Sequence, residues 1–153
     1  GIGLYRRAIE CNPNEPLAWM LLAAAHSFRG DGADAVVASE NALALSPLDP
    51  LRFFFDALAA SAALSAERYE RAIELAQRSL KANRAHLSTY RVLAIAQSLD
   101  GRAGEARATM QQLLQRDPQF TVARFLERSP GASYLIGRRF AEALLAAGLP
   151  RGT

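Results

Sequence analysis

The feature that most constrains the fold is a spaced pair of prolines that occurs twice. Residues 12–19 read NPNEPLAW, and residues 46–53 read SPLDPLRF, so the pair recurs after 34 residues. Proline fixes its own φ and restricts the preceding residue, so each pair marks a turn followed by a helix start. A turn that recurs at a fixed period indicates a repeated unit. The equivalent turn positions, spaced 34, 37 and 34 residues apart, are Pro13, Pro47, Arg84 and Pro118.

Two helical segments follow each of the first three turns. The first helices are predicted at residues 16–29, 50–64 and 87–99, and the second helices at 33–45, 67–82 and 103–116. Each first helix carries an aromatic and a small residue. We treat as equivalent the aromatic residues Trp19, Phe53 and Tyr90, and likewise the small residues Ala23, Ala57 and Ala94. A small residue lets two helices approach to about 8–10 Å. Three extra residues in the middle unit are assigned to a longer turn around Ala62–Ala66.

The 34-residue period, the series Trp19-x-x-Leu22-Ala23 and the closing proline resemble the tetratricopeptide repeat. This resemblance implies an all-α fold, a right-handed α-α superhelix of about three full repeats. Residues 1–12 would be the second helix of a truncated repeat, so we expect the chain to be a fragment of a longer polypeptide. Three repeats would follow at 13–46, 47–83 (with a three-residue insertion) and 84–117. Residues 118–153 would form a degenerate capping repeat whose last helix spans about 134–147.

The sequence contains no set of residues typical of a catalytic or metal site. His26 and His86, the two histidines, have no Cys, Asp or second His at metal-ligand spacing. No base is placed beside Cys11 by the sequence. The Gly1-Ile2-Gly3 stretch lacks the preceding strand and the third glycine of a phosphate loop. We therefore predict no enzyme activity, no cofactor and no metal.

Charge and hydropathy limit the classes of partner. The net charge is +3, and arginines are interleaved with acidic residues, as in the segment ERYER at 67–71. Such a pattern is typical of a solvated helix face, so nucleic-acid binding is not expected. No apolar run approaches the roughly 20 residues that span a bilayer, and we expect no membrane insertion. A single cysteine cannot form an internal disulfide, which favours a reducing, cytoplasmic location.

The tetratricopeptide resemblance implies that the first helices line a concave groove that receives a peptide or a helix. Arg91 alone could pair with an anion there, so the Lys–Asn carboxylate clamp of chaperone-binding members is not expected. An apolar wall of several hundred Å² should instead bind an amphipathic helix. The residues expected to line this groove are Leu17, Met20, Ala24, Phe28, Leu51, Phe54, Leu58, Ser61, Ser88, Arg91, Ile95 and Leu99.

Several occupants of the groove are left open. They are a separate protein or peptide partner, a second protomer, and the chain's own C-terminal helix, which carries Ile136, Phe140, Leu144 and Leu145. The inner residues could instead be core between repeats. The preferred function is a non-catalytic protein–protein interaction module that acts as a scaffold. Residues 67–99 and the tail RRFAEALLAAGLP are also similar to bacterial arrays that follow nucleotide-cyclase or winged-helix domains. The alternative is therefore a regulatory or dimerising segment of a larger bacterial cyclase or transcriptional regulator.

Overall fold

The computed structural model describes residues 1–128 and 135–152, and within these ranges the chain is built from helices without β-strands. This confirms the predicted all-α fold. Residue 134, the predicted start of the last helix, lies outside the described residues. The helices are α1 (Ile2–Cys11), α2 (Pro16–Arg29), α3 (Gly32–Leu45), α4 (Arg52–Ser65), α5 (Tyr69–Ala82), α6 (Leu87–Leu99), α7 (Ala103–Arg116), α8 (Val122–Arg128) and α9 (Leu135–Ala146).

Helices α2 to α7 form three stacked pairs. Helix α2 packs on α3, α4 on α5 and α6 on α7, and each pair contacts the next through α3 with α4 and α5 with α6. The first helices also touch one another, α2 against α4 and α4 against α6. Because each pair buries its apolar face on its neighbours, stability resides in contacts between pairs, as in a helical solenoid.

Each first helix is followed, within two residues, by a residue in the left-handed conformation. Gly30 has φ +82° and Gly101 has φ +78°, values that glycine adopts without the steric penalty of a Cβ atom. Glu67 takes the same place after α4 with φ +61°, the one positive φ of a side-chain-bearing residue in the described ranges. These three residues are separated by 37 and 34 positions and define the structural equivalence of the repeats.

The positions of these three residues give the middle repeat a different alignment from the one predicted. Ala60 is the equivalent of Ala23 and Ala94, and all three are 0% exposed. The sequence-based choice of Ala57 was therefore displaced by one helical turn. Similarly, the residue of α4 that is equivalent to Trp19 and Tyr90 is Asp56, not Phe53.

The three extra residues consequently lie before Asp56, two of them in the turn between α3 and α4 and one at the start of α4, not around Ala62–Ala66. The turn between α3 and α4 covers residues 46–51, whereas the turn between α5 and α6 covers only 83–86. Proline spacing misplaced the insertion because Pro47 and Pro50 are inside this longer turn, and an X–Pro pattern marks a turn without fixing its length.

In α2 and α6, the first helices of the first and third pairs, an aromatic side chain forms a hydrogen bond to the turn that precedes the helix. The Trp19 indole Nε1–H donates to the Pro13 carbonyl at 2.8 Å, and the Tyr90 hydroxyl donates to the Arg84 carbonyl at 2.9 Å. Both bonds span six residues. Because each ring is packed and its polar atom is satisfied, burial carries no penalty for an unpaired donor.

The C-terminal helix lies on the side of the stack formed by the first helices. Helix α9 packs on α6 and α8 and reaches α2, two repeats away. The tail that follows α9 closes the arrangement, since the Val122 and Ala123 amides donate to the Pro150 and Arg151 carbonyls at 2.8 and 2.9 Å. These bonds satisfy free N–H groups at the start of α8. The C-terminal segment is thereby attached to the start of α8.

Candidate groove on the inner face

The predicted groove residues differ widely in exposure. Leu17, Phe28 and Leu51 are exposed, with relative accessibilities of 43%, 39% and 53%. Leu51 lies in the turn before α4, outside the helix, as a consequence of the misplaced insertion. The predicted residues that are half-buried are Ala24, Phe54, Leu58, Ser61, Ser88, Arg91 and Leu99.

Met20 and Ile95 belong to the core. Met20 is 0% exposed and Ile95 is 2% exposed, and both are members of the main hydrophobic cluster. The expectation that Met20 faces an open groove is therefore wrong. Successive side chains of a helix point about 100° apart. A small rotation of the helix therefore turns a side chain at the edge of the inner face towards the neighbouring helix pair.

Helix α9 covers part of the inner face. The side chains of Ile136 and Phe140, one turn apart on α9, face Phe28 of α2 and Leu58 of α4 across a cavity. An ion pair fixes the same end of α9, with Arg139 Nη1 2.7 Å from Glu67 Oε1. The other Arg139 nitrogen, Nη2, donates to the Tyr69 hydroxyl at 3.2 Å.

The cavity between α9 and the inner face has a volume of about 420 Å³. Six of the twelve predicted groove residues line it, namely Phe28, Leu58, Ser61, Ser88, Arg91 and Ile95. Phe125 and Arg128 of α8 also line it but are absent from the sequence-based set. They were not predicted from the sequence because α8 has Arg124 and Arg128 at the positions where a first helix carries its aromatic and small residues.

Arg91 contributes a partly desolvated positive charge to this cavity. Its Nη2 donates to the Ser88 hydroxyl at 2.6 Å, and its guanidinium lies 5.5 Å from the centroid of the Phe120 ring. Burial, followed by the neighbouring charge of Arg128, lowers the pKa of Arg91, while Asp117 raises it. The positive charges of two arginines thus act on one another at an apolar cavity.

His86 forms a small aromatic cluster at the start of α6. Its ring lies edge-on to Phe53 and Phe54, with centroid separations of 5.6 and 5.9 Å, and its Nδ1 is 2.8 Å from the Thr89 hydroxyl. Burial, and secondarily the charge of Arg91, lowers the pKa of His86. The sequence predicted only a turn residue here, because contacts across the repeat boundary are not visible in local patterns.

Other kinds of site find little support among the residues that the structure describes. In that part of the chain no group of three or more His, Cys, Asp or Glu side chains is placed to hold a metal ion. Cys11 is exposed on α1. No helix between residues 1 and 128 or between 135 and 152 is long and apolar enough to cross a bilayer.

Comparison with known families places the chain among helical repeat proteins. Two family profiles described as tetratricopeptide repeat match residues 4–36 and 63–129, about two thirds of the chain together. The chain belongs to the tetratricopeptide repeat family, as its sequence pattern predicted. No curated protein matches the chain.

Solved structures support the same fold. A MamA structure (residues 41 to the end) from Desulfovibrio magneticus RS-1 is 18% identical with a TM-score of 0.67, and the match covers 95% of this chain and 81% of that one. YrrB, a TPR protein with an unusual peptide-binding site, is 17% identical (TM-score 0.63; 95% and 74% covered). The first TPR of Spaghetti (RPAP3), bound to the HSP90 peptide SRMEEVD, is 15% identical (TM-score 0.61; 86% and 94% covered). At these identities the likeness concerns the fold alone.

Proposed function

We propose that this chain is a non-catalytic interaction module whose inner face holds an amphipathic helix of a protein partner. One observation carries the proposal: the inner face already holds such a helix, α9, through apolar side chains. Ile136, Phe140 and Leu144 recur every four residues along α9, and Leu144 is 0% exposed. This spacing is the usual pattern of a helix that lies in a groove.

Further apolar surface supports a partner in addition to α9. Leu17 and Leu51 remain exposed and Phe54 is half-buried, and none of these three residues lines the cavity at α9. Proteins of this fold are generally non-catalytic interaction modules. Of the similar structures above, the first TPR of Spaghetti (RPAP3) is bound to a peptide and YrrB has a peptide-binding site. A partner helix would extend over this surface or replace α9.

The proposal can be tested with a fluorescent peptide of residues 135–146, LIGRRFAEALLA, added to the full chain. In the unaltered chain the tethered α9 competes at a high effective concentration, so we expect weak binding. Phe140→Asp should loosen the tethered helix and strengthen peptide binding by about 10-fold or more. Adding Leu58→Asp to that variant should abolish the gain, because an unpaired carboxylate would face the apolar peptide.

Val37→Asp in the same Phe140→Asp background is the matched control. Val37 is 63% exposed on the second helix α3, so its replacement should leave peptide binding unchanged. Circular dichroism reports whether each variant is folded. Unfolding by Leu58→Asp would identify the inner residues as core between repeats, and unchanged binding in that variant would exclude the groove.

The alternative function, a regulatory or dimerising segment of a larger cyclase or transcriptional regulator, stays a prediction. If a second protomer is the partner, light scattering should give twice the chain mass. Leu17→Asp, at the exposed end of the inner face, should then return the protein to a monomer.

A further inference from the structure

We infer that the cavity between α9 and the inner face binds a small amphipathic carboxylate, with the acid group between Arg91 and Arg128 and the apolar chain directed towards α2 and α4. Such a ligand is distinct from the helical partner proposed above, because the cavity exists while α9 is in place. Its volume of about 420 Å³ is within the range of small-molecule sites, about 300–1,000 Å³.

The two arginines place positive charge at one end of the cavity. Arg91 of α6 and Arg128 of α8 both line the cavity, and Phe28 of α2 and Leu58 of α4 line it from the two preceding helix pairs. None of the ion pairs within residues 1–128 and 135–152 includes Arg91 or Arg128. An anion between them would replace the repulsion of like charges with charge-assisted hydrogen bonds.

The guanidinium of Arg91 is held in place before any ligand arrives. The Ser88 hydroxyl accepts one of its N–H groups, and the Phe120 ring lies beside it. A planar guanidinium retains further donors that match the two oxygens of a carboxylate. Arg128 is exposed, so its guanidinium is accessible to an acid group that arrives from solvent.

The walls of the cavity select the rest of the ligand. Ile95, Phe125, Ile136 and Phe140 contribute mainly hydrocarbon surface, and the hydroxyl of Ser61 already donates to the Ala57 carbonyl at 3.3 Å. An uncharged polar ligand would lose hydration without finding partners along these walls. An unbranched alkyl chain buries its surface there, so octanoate and decanoate are suitable probes.

Isothermal titration calorimetry of the full chain with octanoate and decanoate tests the inference. We expect both acids to bind, decanoate more tightly, and decanoate to raise the melting temperature and shift the NMR signals of Phe28 and Phe140. Arg91→Gln and, independently, the exposed-site variant Arg128→Gln should each weaken decanoate binding by about 10- to 100-fold. Arg107→Gln removes an equal charge from the exposed surface of α7 and should change the affinity by less than about 2-fold.

Decanol separates an acid site from a purely apolar one. It should bind more weakly than decanoate and should not respond to Arg128→Gln. Equal binding of decanol and decanoate would overturn the inference, as would the absence of decanoate binding to the unaltered chain. Because the peptide experiment above does not involve these acids, either proposal can fail while the other stands.

Discussion

The carboxylate of Asp56 accepts two hydrogen bonds from the guanidinium of Arg78, at 3.0 Å from Nε and 2.7 Å from Nη2. Arg52 donates a third from Nε at 3.0 Å, and Asp56 is only 1% exposed. This ion pair joins α4 to α5 at the position where the neighbouring repeats have Trp19 and Tyr90. The middle repeat has thus replaced an aromatic anchor with a charged one.

We expect Asp56→Ala to lower the free energy of unfolding by about 2–3 kcal/mol, because it leaves Arg78 and Arg52 without their shared acceptor. Both arginines reach solvent in part, which keeps the loss below that of a fully buried pair. Urea unfolding measures the change. Glu40→Ala breaks the exposed pair with Arg71 and should cost about 0–1 kcal/mol. Equal losses in the two variants would show that Asp56 has no special role.

Gly32→Ala should destabilise the protein through a backbone collision. A Cβ atom at Gly32 would lie 2.6 Å from the Ser65 carbonyl oxygen and 2.6 Å from the Ala66 Cα. Backbone atoms cannot move aside as a flexible side chain can, so we expect a loss of about 1–3 kcal/mol in thermal or urea unfolding. Gly104, in α7, has no atom within 4 Å of such a Cβ, and Gly104→Ala should be neutral or stabilising by up to about 1 kcal/mol. A stable Gly32→Ala variant would disprove this close approach of α3 to the end of α4.

Ala60→Leu tests the corrected alignment of the middle repeat. Ala60 is 0% exposed at the position of Ala23 and Ala94, which are also 0% exposed. Three added carbon atoms should overpack this crossing and lower the free energy of unfolding by about 1–3 kcal/mol. Ala103→Leu, on the exposed first turn of α7, should have an effect within about 0.5 kcal/mol. An Ala60→Leu variant as stable as this control would contradict the alignment.

The stability of the protein should fall below about pH 6.5 because of His86. Since the folded-state pKa lies below the ordinary value, the unfolded chain takes up the proton first as the pH decreases. The contribution of His86 is therefore complete above the unfolded-state pKa and is lost as the pH falls through the folded-state pKa. Denaturation curves between pH 5 and 8 measure this loss. His86→Gln, which cannot titrate, should show a smaller decrease than the unaltered chain, and identical pH profiles would refute the assignment.

Local sequence patterns were sufficient to predict the helices but not to align the repeats with one another. The predicted spans 16–29, 87–99 and 103–116 agree with α2, α6 and α7, because apolar periodicity and the Gly30 and Gly101 breaks are properties of neighbouring residues. The middle repeat was misaligned because Glu67, which ends α4 with a positive φ, has no sequence signal of the kind that glycine provides. Its carboxylate instead pairs with Arg139 from a distant helix.

The sequence by itself determined that this protein is a stack of helix pairs, since the 34-residue period and the small residues at helix crossings act through short-range geometry. Only the tertiary structure decided which inner residues are accessible, buried or covered. Met20 is in the core and Phe28 at a cavity, although both are apolar residues of α2. The physical reason is that the burial of a side chain depends on which other helices pack against its face of the helix. Here one of those neighbours, α9, is separated from α2 by most of the chain.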